Sequence, residues 1–225
     1  MQKVSIIIPV YNHLKMTIDC ISDVIKTYGV NIEIIVVDDA SKEPIKFAIP
    51  KIFPQVKLLV NETNSGFAKT VNKGIMSATS DLILLLNNDI RIKNPSWLKT
   101  MIFELENSKL DMTSPAGGRM NKKWEYISGE ITKKNEEFSY LVGWALLVRR
   151  NVFDKIGLIP ENFGKGYFED VLFSYRAKEA GFKLGITENV GIEHMYHVTF
   201  KSSGYNINKE YNEKRAIFLN IIGAK

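Results

Sequence analysis

Cysteine is nearly absent from this sequence of 225 residues, and long apolar runs are missing altogether. The single cysteine, Cys20, cannot form an internal disulfide, and its position on the inner face of a predicted helix suggests a small buried side chain. The apolar runs, of which residues 82–86 are an example, are far too short to cross a bilayer. The first three residues lack the pattern of a cleavable signal peptide. These absences predict a protein of a reducing compartment, with the cytoplasm as its expected location.

Several binding motifs are missing as well. No G-x-G-x-x-G follows a predicted strand, which excludes a dinucleotide dehydrogenase. Residues 9–12, at the end of the first predicted strand, contain neither a glycine-rich phosphate loop nor a basic residue, which argues against a nucleotidyltransferase. The sequence contains no zinc-ligand spacing, recognition helix or basic stripe with interleaved aromatic residues, so no nucleic-acid partner is expected.

The chain carries a moderate positive charge, with 30 basic and 25 acidic residues and a formal net charge of +5. Such an excess suits an anionic ligand or an anionic membrane surface. Lysines scattered over an ordinary solvated surface explain it equally well. Peripheral contact with the inner face of a membrane is therefore one of three open interpretations.

Short β-rich runs alternate with segments of helical period in the first half of the chain. Apolar residues spaced by three or four positions, as in Phe67, Val71 and Ile75, predict amphipathic helices between buried strands. The predicted strands are residues 4–10, 32–37, 56–60 and 82–86, and the predicted helices are about residues 14–28, 67–75 and 95–107. This alternation predicts an α/β fold whose central, mostly parallel sheet is flanked by helices. Ligands of such sheets bind beyond the carboxyl ends of the strands.

The second half of the sequence is less regular. Residues 121–139 form a polar excursion that predicts a hairpin or flap, followed by a compact apolar element at residues 141–149 and a loop at residues 157–166. Residues 169–180 predict a helix that stops at Gly181, and a closing helix is expected over residues 209–222. Since no repeat, low-complexity tract or linker is visible, the prediction is a single domain over residues 1–225.

Polar clusters follow the predicted strands. Asp38 and Asp39 come directly after the second strand, where a turn explains them as well as a ligand contact does. Asn87, Asn88 and Asp89 follow the most apolar strand and supply the hard oxygen ligands that Mg²⁺ and Mn²⁺ prefer, although a turn accounts for this triplet too. A cation bound there would lie beside Asp38 and Asp39, because parallel strands end at one edge of the sheet.

Two further groups could carry chemistry. Glu169 and Asp170 open a predicted helix, where acidic residues either stabilise the helix dipole or leave one carboxylate as a general base. His194 follows an aliphatic run at another predicted strand end, with His197 three residues later. Two histidines near the end of a chain are more often surface or core residues than metal ligands.

Taken in order, these motifs resemble family 2 glycosyltransferases with the GT-A fold, over about residues 3–200. The Asn-Asn-Asp variant is similar to bacterial rhamnosyltransferase-like members of that family. The motifs that carry the resemblance are residues 5–12 (SIIIPVYN) with 36–41 (VVDDAS), 64–68 (NSGFA) with Asn72 and Gly74, 85–90 (LLNNDI), 143–150 (GWALLVRR) and 167–171 (YFEDV).

The resemblance implies a nucleotide-sugar-binding half at about residues 1–115 and an acceptor and catalytic half at about residues 116–225. It implies donor contacts from residues at the strand ends and in the glycine loop. The implied donor-binding residues are Pro9, Val10, Tyr11, Asn12, Asp38, Asp39, Asn64, Gly66, Phe67, Asn72 and Asn88.

The resemblance further implies that Asp89, with Asn87 and His194, contacts a Mn²⁺ or Mg²⁺ ion that bridges the donor diphosphate. Because Asn87 stands where many relatives have aspartate, the cation is expected to bind mainly together with the donor. Gly143, Trp144 and Glu169 are expected to border the sugar and acceptor pocket, and Asp170 to be the base that activates the acceptor hydroxyl.

The expected function is that of an inverting, metal-dependent transferase that uses a UDP- or dTDP-sugar in glycan or polysaccharide assembly. The expected acceptor is a glycan or lipid-linked glycan. A catalytically degenerate domain that serves as a binding or scaffold module is the alternative. The sequence leaves the oligomeric state open.

Overall fold

A seven-stranded sheet forms the centre of the protein, in a computed structural model that describes residues 2–164, 166–195 and 207–224. The strand order is β11-β6-β10-β4-β1-β2-β3. Strand β10 runs antiparallel to both of its neighbours, and the other strands are parallel. The strands of this sheet are β1 (Lys3–Val10), β2 (Asn31–Asp38), β3 (Lys57–Val60), β4 (Leu82–Leu86), β6 (Met112–Ser114), β10 (Ala145–Arg149) and β11 (Leu184–Ile186).

Two apolar cores cover the two faces of the sheet, because side chains alternate along each buried strand. Ile6 and Ile8 of β1 lie in one core, and Ile7 lies in the other. Helices pack on both faces. The helices are α1 (Leu14–Ile25), α2 (Ile45–Ile52), α3 (Phe67–Ser77), α4 (Trp97–Asn107), α5 (Arg150–Ile156), α6 (Glu169–Glu179) and α7 (Ile207–Ile222).

Two small sheets extend the central one. Strand β5 (Ile90–Ile92) pairs antiparallel with β12 (Ile192–His194). Strand β7 (Gly117–Met120) pairs with β8 (Tyr126–Ile131) and with β9 (Tyr140–Leu141). The polar excursion thus contributes one strand of a hairpin, as expected.

The predicted α/β architecture is confirmed, but several elements differ from the prediction. Helix α2 was not predicted, because Pro50 lies inside it and proline is unfavourable within a helix. Helix α5 was not predicted, because its apolar residues show no clear helical period. Helix α1 ends at Ile25, so Tyr28 does not belong to its inner face and is 70% exposed. Cys20 is fully buried, as predicted.

The last helix, α7, packs through an aromatic cluster on α6 and on the turns before α6 and β8. Phe218 is fully buried and its ring lies against those of Trp124, Phe168 and Tyr175. Among the described residues, no helix is both long and apolar enough to span a membrane. His197 lies outside the described residues.

Candidate active site

The carboxyl ends of β1 and β2 lie side by side and bring the first predicted donor residues together. Val10 pairs with Asp38, and the amide of Asp39 donates to the carbonyl of Val10 at 2.8 Å. Beyond the strand, Asn12 adopts a left-handed conformation with φ of 59°. Its backbone amide donates to Ser41 Oγ at 2.7 Å, and its side-chain oxygen accepts from the amide of Lys42 at 2.8 Å. Asn12 therefore ties the end of β1 to the loop that follows β2.

Asp39 holds the loop that contains the predicted glycine. Its Oδ1 accepts from Asn61 Nδ2 and from the amide of Ser65, each at 2.8 Å, and its Oδ2 accepts from the amide of Gly66 at 2.9 Å. Gly66 has φ of 85°, a backbone conformation that favours glycine, and it immediately precedes α3. In this structure Asp39 shapes the loop, and Asp38, whose Oδ1 accepts from the amide of Ser41, lies beside it at the sheet edge.

The other predicted donor residues differ in accessibility. Asn64 is exposed and Phe67 is half-buried at the start of α3. Asn72 is buried, and its amide group bonds to both backbone groups of Ile159 and to Glu161 Oε1. Asn72 thus joins α3 to the loop after α5, and its donor-binding role stays a prediction. The donor-binding roles of Pro9 and Tyr11, which are half-buried at the strand end, also stay predictions.

The Asn-Asn-Asp triplet turns the chain from β4 into β5. The amide of Asn87 donates to the carbonyl of Trp144 at 2.9 Å, which joins this turn to the start of β10. Asn88 is buried and donates from Nδ2 to Thr17 Oγ1 of α1 at 3.0 Å. Asp89 is also buried, with 6% of its surface exposed. The triplet therefore offers one buried carboxylate, with the Asn87 side chain as a neighbour.

The pairing of β5 with β12 brings His194 to Asp89. His194 lies opposite Ile90, and the amide of Met195 donates to the carbonyl of Asp89 at 2.9 Å. His194 Nε2 lies 3.2 Å from Asp89 Oδ1, and both side chains are 8% exposed. An imidazole nitrogen and a carboxylate oxygen at this separation fit adjacent positions around one octahedral cation, whose ligands at ~2.1 Å lie ~3 Å apart. No group of three or more His, Cys, Asp or Glu residues suited to a metal is found in the described parts of the chain. A cation here would need further ligands, such as diphosphate oxygens.

Trp144 connects this pair to the polar hairpin. Its indole ring stacks on the His194 imidazole, with centroids 5.1 Å apart and planes inclined by 21°. Its Nε1–H donates to Glu130 Oε1 on β8 at 2.8 Å. Glu130 is not among the site residues predicted from the sequence. It lies in a polar segment where carboxylates are common, and no local pattern distinguishes it from Glu136 or Glu137.

Asp170 lies in the first turn of α6, next to Gly143. Its Oδ2 accepts from the amide of Gly143 at 3.3 Å, and its Oδ1 accepts from the amide of Val171 at 2.9 Å. The two residues before Glu169, Tyr167 and Phe168, both have left-handed backbone conformations with φ of 72° and 71°. This tight turn directs the carboxylate toward the start of β10.

Burial changes the acid–base behaviour of the adjacent carboxyl groups. Loss of hydration raises the pKa of Asp170 above its ordinary value, although the two backbone amides oppose this shift. Loss of hydration, together with the neighbouring charge of Asp170, raises the pKa of Glu169 further. Glu169 Oε2 is inaccessible to solvent and accepts no hydrogen bond from the described residues. The site therefore contains two carboxyl groups whose pKa values lie near neutrality, as is common for catalytic acids and bases.

Comparison with known proteins identifies the family. The family model for Glycosyl transferase family 2 matches residues 5–157. Glycosyltransferase AglE of Haloferax volcanii is 24% identical over 204 residues, which cover 83% of this chain and 65% of that protein. The rhamnosyltransferase-like subgroup is not tested by these matches and stays a prediction.

Solved structures match the fold. The mannosyltransferase PcManGT from Pyrobaculum calidifontis, in complex with GDP-Man and Mn²⁺, has a TM-score of 0.68 at 15% identity and covers 88% of this chain and 59% of its own. S. aureus TarS 1-349 in complex with UDP has a TM-score of 0.65 at 22% identity, with 84% and 58% covered. The present chain thus spans less than two thirds of the length of each of these proteins. The fold is the GT-A fold. Because the family model covers most of the chain, this protein belongs to glycosyl transferase family 2.

Proposed function

We propose that this chain transfers a sugar from a nucleoside-diphosphate donor to an acceptor hydroxyl with inversion of configuration. The observation that carries the proposal is the position of Asp170, a half-buried residue whose carboxylate is held by the amide of Gly143, the residue before Trp144. Trp144 in turn stacks on His194 beside Asp89. A candidate base and a candidate diphosphate site thus lie within one network of contacts at the carboxyl edge of the sheet.

Asp89 and His194 would hold a divalent cation, with Asn87 beside them. Such a cation, when bound, stabilises the negative charge that develops on a departing diphosphate. Because the protein offers few charged ligands, we expect Mn²⁺ or Mg²⁺ to bind mainly together with the nucleotide. The complexes of PcManGT with GDP-Man and Mn²⁺ and of TarS with UDP support this type of ligand.

Asp170 acts as the base in this proposal. A nucleoside diphosphate leaves without protonation, so a single carboxylate that removes the proton of the attacking hydroxyl suffices. The apolar surroundings of Asp170 raise its pKa and so make the carboxylate a stronger base. If the hydroxyl activated by Asp170 attacks the anomeric carbon on the face opposite the diphosphate, the configuration at that carbon inverts.

The donor is proposed to be a UDP- or dTDP-sugar, and the acceptor a glycan or lipid-linked glycan. A catalytically degenerate binding domain is the competing function, favoured by the neutral Asn87 at the first position of the metal motif. The two functions differ in one respect that can be measured, because both bind nucleotide but one turns over the donor.

The test is thermal unfolding with UDP, dTDP, GDP and their sugars, each with and without Mn²⁺. A ligand that binds the folded state alone raises Tm by mass action. We expect one diphosphate to raise Tm by several degrees with Mn²⁺ and much less without it. His194→Ala should reduce the metal-dependent part of this shift while the unliganded protein remains folded. The absence of any shift across the panel would contradict the proposal. A shift without donor hydrolysis or transfer would favour the binding domain.

A further inference from the structure

One buried hydroxyl group, that of Thr17 on α1, joins two parts of the proposed donor site. Its O–H donates to the carbonyl of His13 at 3.2 Å, and its oxygen accepts from Asn88 Nδ2 at 3.0 Å. His13 directly follows Asn12 beyond the end of β1, and Asn88 directly precedes Asp89 in the Asn-Asn-Asp triplet. Thr17 is fully buried and Asn88 is 7% exposed, so solvent has little access to this contact.

The same side of α1 holds the chain before and after Asp89. Thr17 is followed at three-residue spacing by Cys20 and Asp23, which places the three side chains along one side of the helix. Cys20 Sγ donates to the carbonyl two residues before Asp89, at 3.7 Å. Asp23 Oδ2 accepts from Arg91 Nε at 2.8 Å and from the next amide in β5 at 3.3 Å. The turn that carries Asp89 is thus bound to α1 on both sides.

The N-terminal end of α1 is bound to the loop that follows β2. The two carboxylate oxygens of Glu43 accept from the amides of His13 and Leu14, at 3.0 and 2.7 Å. Ser41, two residues earlier in that loop, donates its amide to Asp38 Oδ1 at 3.0 Å. The residues proposed to bind the nucleotide and those proposed to hold the cation are therefore attached to one helix.

We propose that Thr17 and Asn88 are positioning residues, whose hydrogen bond holds Asp89 in place for the cation that accompanies the nucleotide. The inference rests on the proposed function, and it gives Asn88, a predicted donor-binding residue, a role that it performs through Thr17. A buried amide that lost its acceptor would have to move to find another, and the neighbouring Asp89 would move with it.

The test measures Mn²⁺ binding without turnover, by electron paramagnetic resonance of the free ion. Mn²⁺ is titrated with UDP, dTDP or GDP in excess, and a titration of the nucleotide alone supplies the background. Thr17→Val keeps the shape of the side chain but removes the hydroxyl, so we expect the Kd for Mn²⁺ to increase about fivefold or more. Thr17→Ser keeps the hydroxyl and should bind Mn²⁺ as the parent chain does. An unchanged Kd in Thr17→Val would overturn the inference.

Thr100→Val is the matched control. The Thr100 hydroxyl donates to the carbonyl of Ser96, four residues earlier in α4, at 3.3 Å, as that of Thr17 does in α1. No other side-chain hydrogen bond of Thr100 is found in the described parts of the chain. This variant should bind Mn²⁺ like the parent. An equal loss in Thr100→Val and Thr17→Val would mean that a weakened helix explains the effect, and the inference would be wrong.

A double-variant cycle separates positioning from direct contact. Asn88→Leu removes the donor of the hydrogen bond, and Thr17→Val removes its acceptor. The double variant leaves no unpaired amide beside α1, so it should fold even if Thr17→Val alone is unstable. If Asn88 acts through Thr17, the double variant should bind Mn²⁺ no more weakly than the weaker single variant. Additive losses would show that Asn88 contacts the cation or the nucleotide itself, which would overturn its positioning role.

The parent chain separates this inference from the proposed function. If a nucleoside diphosphate raises the Tm of the parent with Mn²⁺ but Thr17→Val binds Mn²⁺ normally, the inference fails and the transferase function stands. If the parent binds no Mn²⁺ with any of the three nucleotides, the proposed function fails and the inference fails with it.

Discussion

Asp170 is half-buried, and two backbone amides donate to its carboxylate, from Gly143 at 3.3 Å and Val171 at 2.9 Å. Its neighbour Glu169 has no such support at Oε2, which is inaccessible and accepts no hydrogen bond from the described residues. Two adjacent acidic side chains thus occupy different environments. Removing the charge of Asp170 should therefore change turnover, and removing the charge of Glu169 should change stability.

Removing the charge of Asp170 should abolish turnover without abolishing nucleotide binding. Asp170→Asn cannot accept the proton of the acceptor hydroxyl, so we expect kcat to fall at least 10²-fold. In the parent chain, burial raises the pKa of Asp170 to about 6, so activity should increase as the pH rises through this value and then level off. Steady-state rates from pH 5 to 8 measure both effects. A variant with nearly normal kcat, or a rate that falls over this range, would remove Asp170 from the role of base.

Removing the charge of Glu169 should stabilise the protein. Burial raises the pKa of Glu169 to about 8 in the folded state, so folding favours the protonated form. The free energy of unfolding should therefore fall as the pH rises from the ordinary pKa of a glutamate toward 8. Glu169→Gln should remove this loss and increase stability at pH 8 by on the order of 2 kcal/mol, with little effect at pH 4.

Urea unfolding of the parent and Glu169→Gln at both pH values tests this sign. Glu179→Gln, at the last position of the same helix, is the control and should change stability little at either pH. Destabilisation by Glu169→Gln at pH 8 would show that the Glu169 charge has a partner.

At the scale of elements, α7 supports the turn that carries the acidic pair. Phe168 has φ of 71°, a strained conformation for an aromatic residue, and its ring contacts those of Phe163, Tyr211 and Phe218. Phe218 and Tyr211 belong to α7, which follows Asp170 in the chain but packs behind it. The position of the candidate base thus depends on contacts with α7, the last helix of the described chain.

Truncating Phe218 should displace Asp170, the candidate base, more than it disturbs the residues proposed to bind the nucleotide. Phe218→Ala removes a fully buried ring, and we expect a loss of about 3–5 kcal/mol in stability. We also expect kcat to fall while the nucleotide-induced rise in Tm persists, because no hydrogen bond or ion pair joins Asp38 or Asp89 to α7 among the described residues. The more exposed Ile221→Ala is the control on the same helix. Amide hydrogen exchange should show faster exchange in α7 and the first turn of α6, and unchanged exchange there would contradict the mechanism.

At the scale of the whole molecule, the positive charge is concentrated at one edge of the sheet. The segment from α2 through β3 to α3, residues 45–77, contains five lysines and a single acidic residue, Glu62. None of these lysines forms a salt bridge with a carboxylate among the described residues. Phe47 and Met76 are 70% and 69% exposed on the same segment. Because α2 and α3 pack on opposite faces of the sheet, these two side chains do not share one surface. Exposed Phe47 beside Lys46 and Lys51 suits an anionic membrane surface, so we propose the outer face of α2 as the site of peripheral membrane contact.

Reversing charge at this edge should release the protein from anionic vesicles. We expect the parent chain to sediment with phosphatidylglycerol vesicles at low salt and to dissociate as salt is added. Lys46→Glu combined with Lys51→Glu should abolish sedimentation, whereas the control Lys122→Glu combined with Lys133→Glu, elsewhere on the surface, should not. Sedimentation that is equal for both double variants, or equal with phosphatidylcholine vesicles, would contradict this assignment.

Much of the architecture could be predicted from local patterns, and some could not. The strand at Leu82–Leu86 and the helix at Phe67–Ser77 follow from apolar period, which acts over a few residues. Helix α2 escaped prediction because Pro50 is unfavourable inside an isolated helix, whereas the buried contacts of Ile45 and Ile49 hold it in place. Single-domain organisation and its division into two halves stay predictions.

The sequence by itself determined the fold class, the family motifs and the candidates Asp89 and Asp170, because strand period, turn chemistry and motif order are local properties of the chain. Tertiary structure alone decided which groups meet. Asp89 contacts His194 through the pairing of β5 with β12, and Trp144 binds Glu130 through a hairpin that has no distinguishing sequence pattern. Contacts between such distant segments depend on how sheets and helices pack, and packing is a property of the assembled fold.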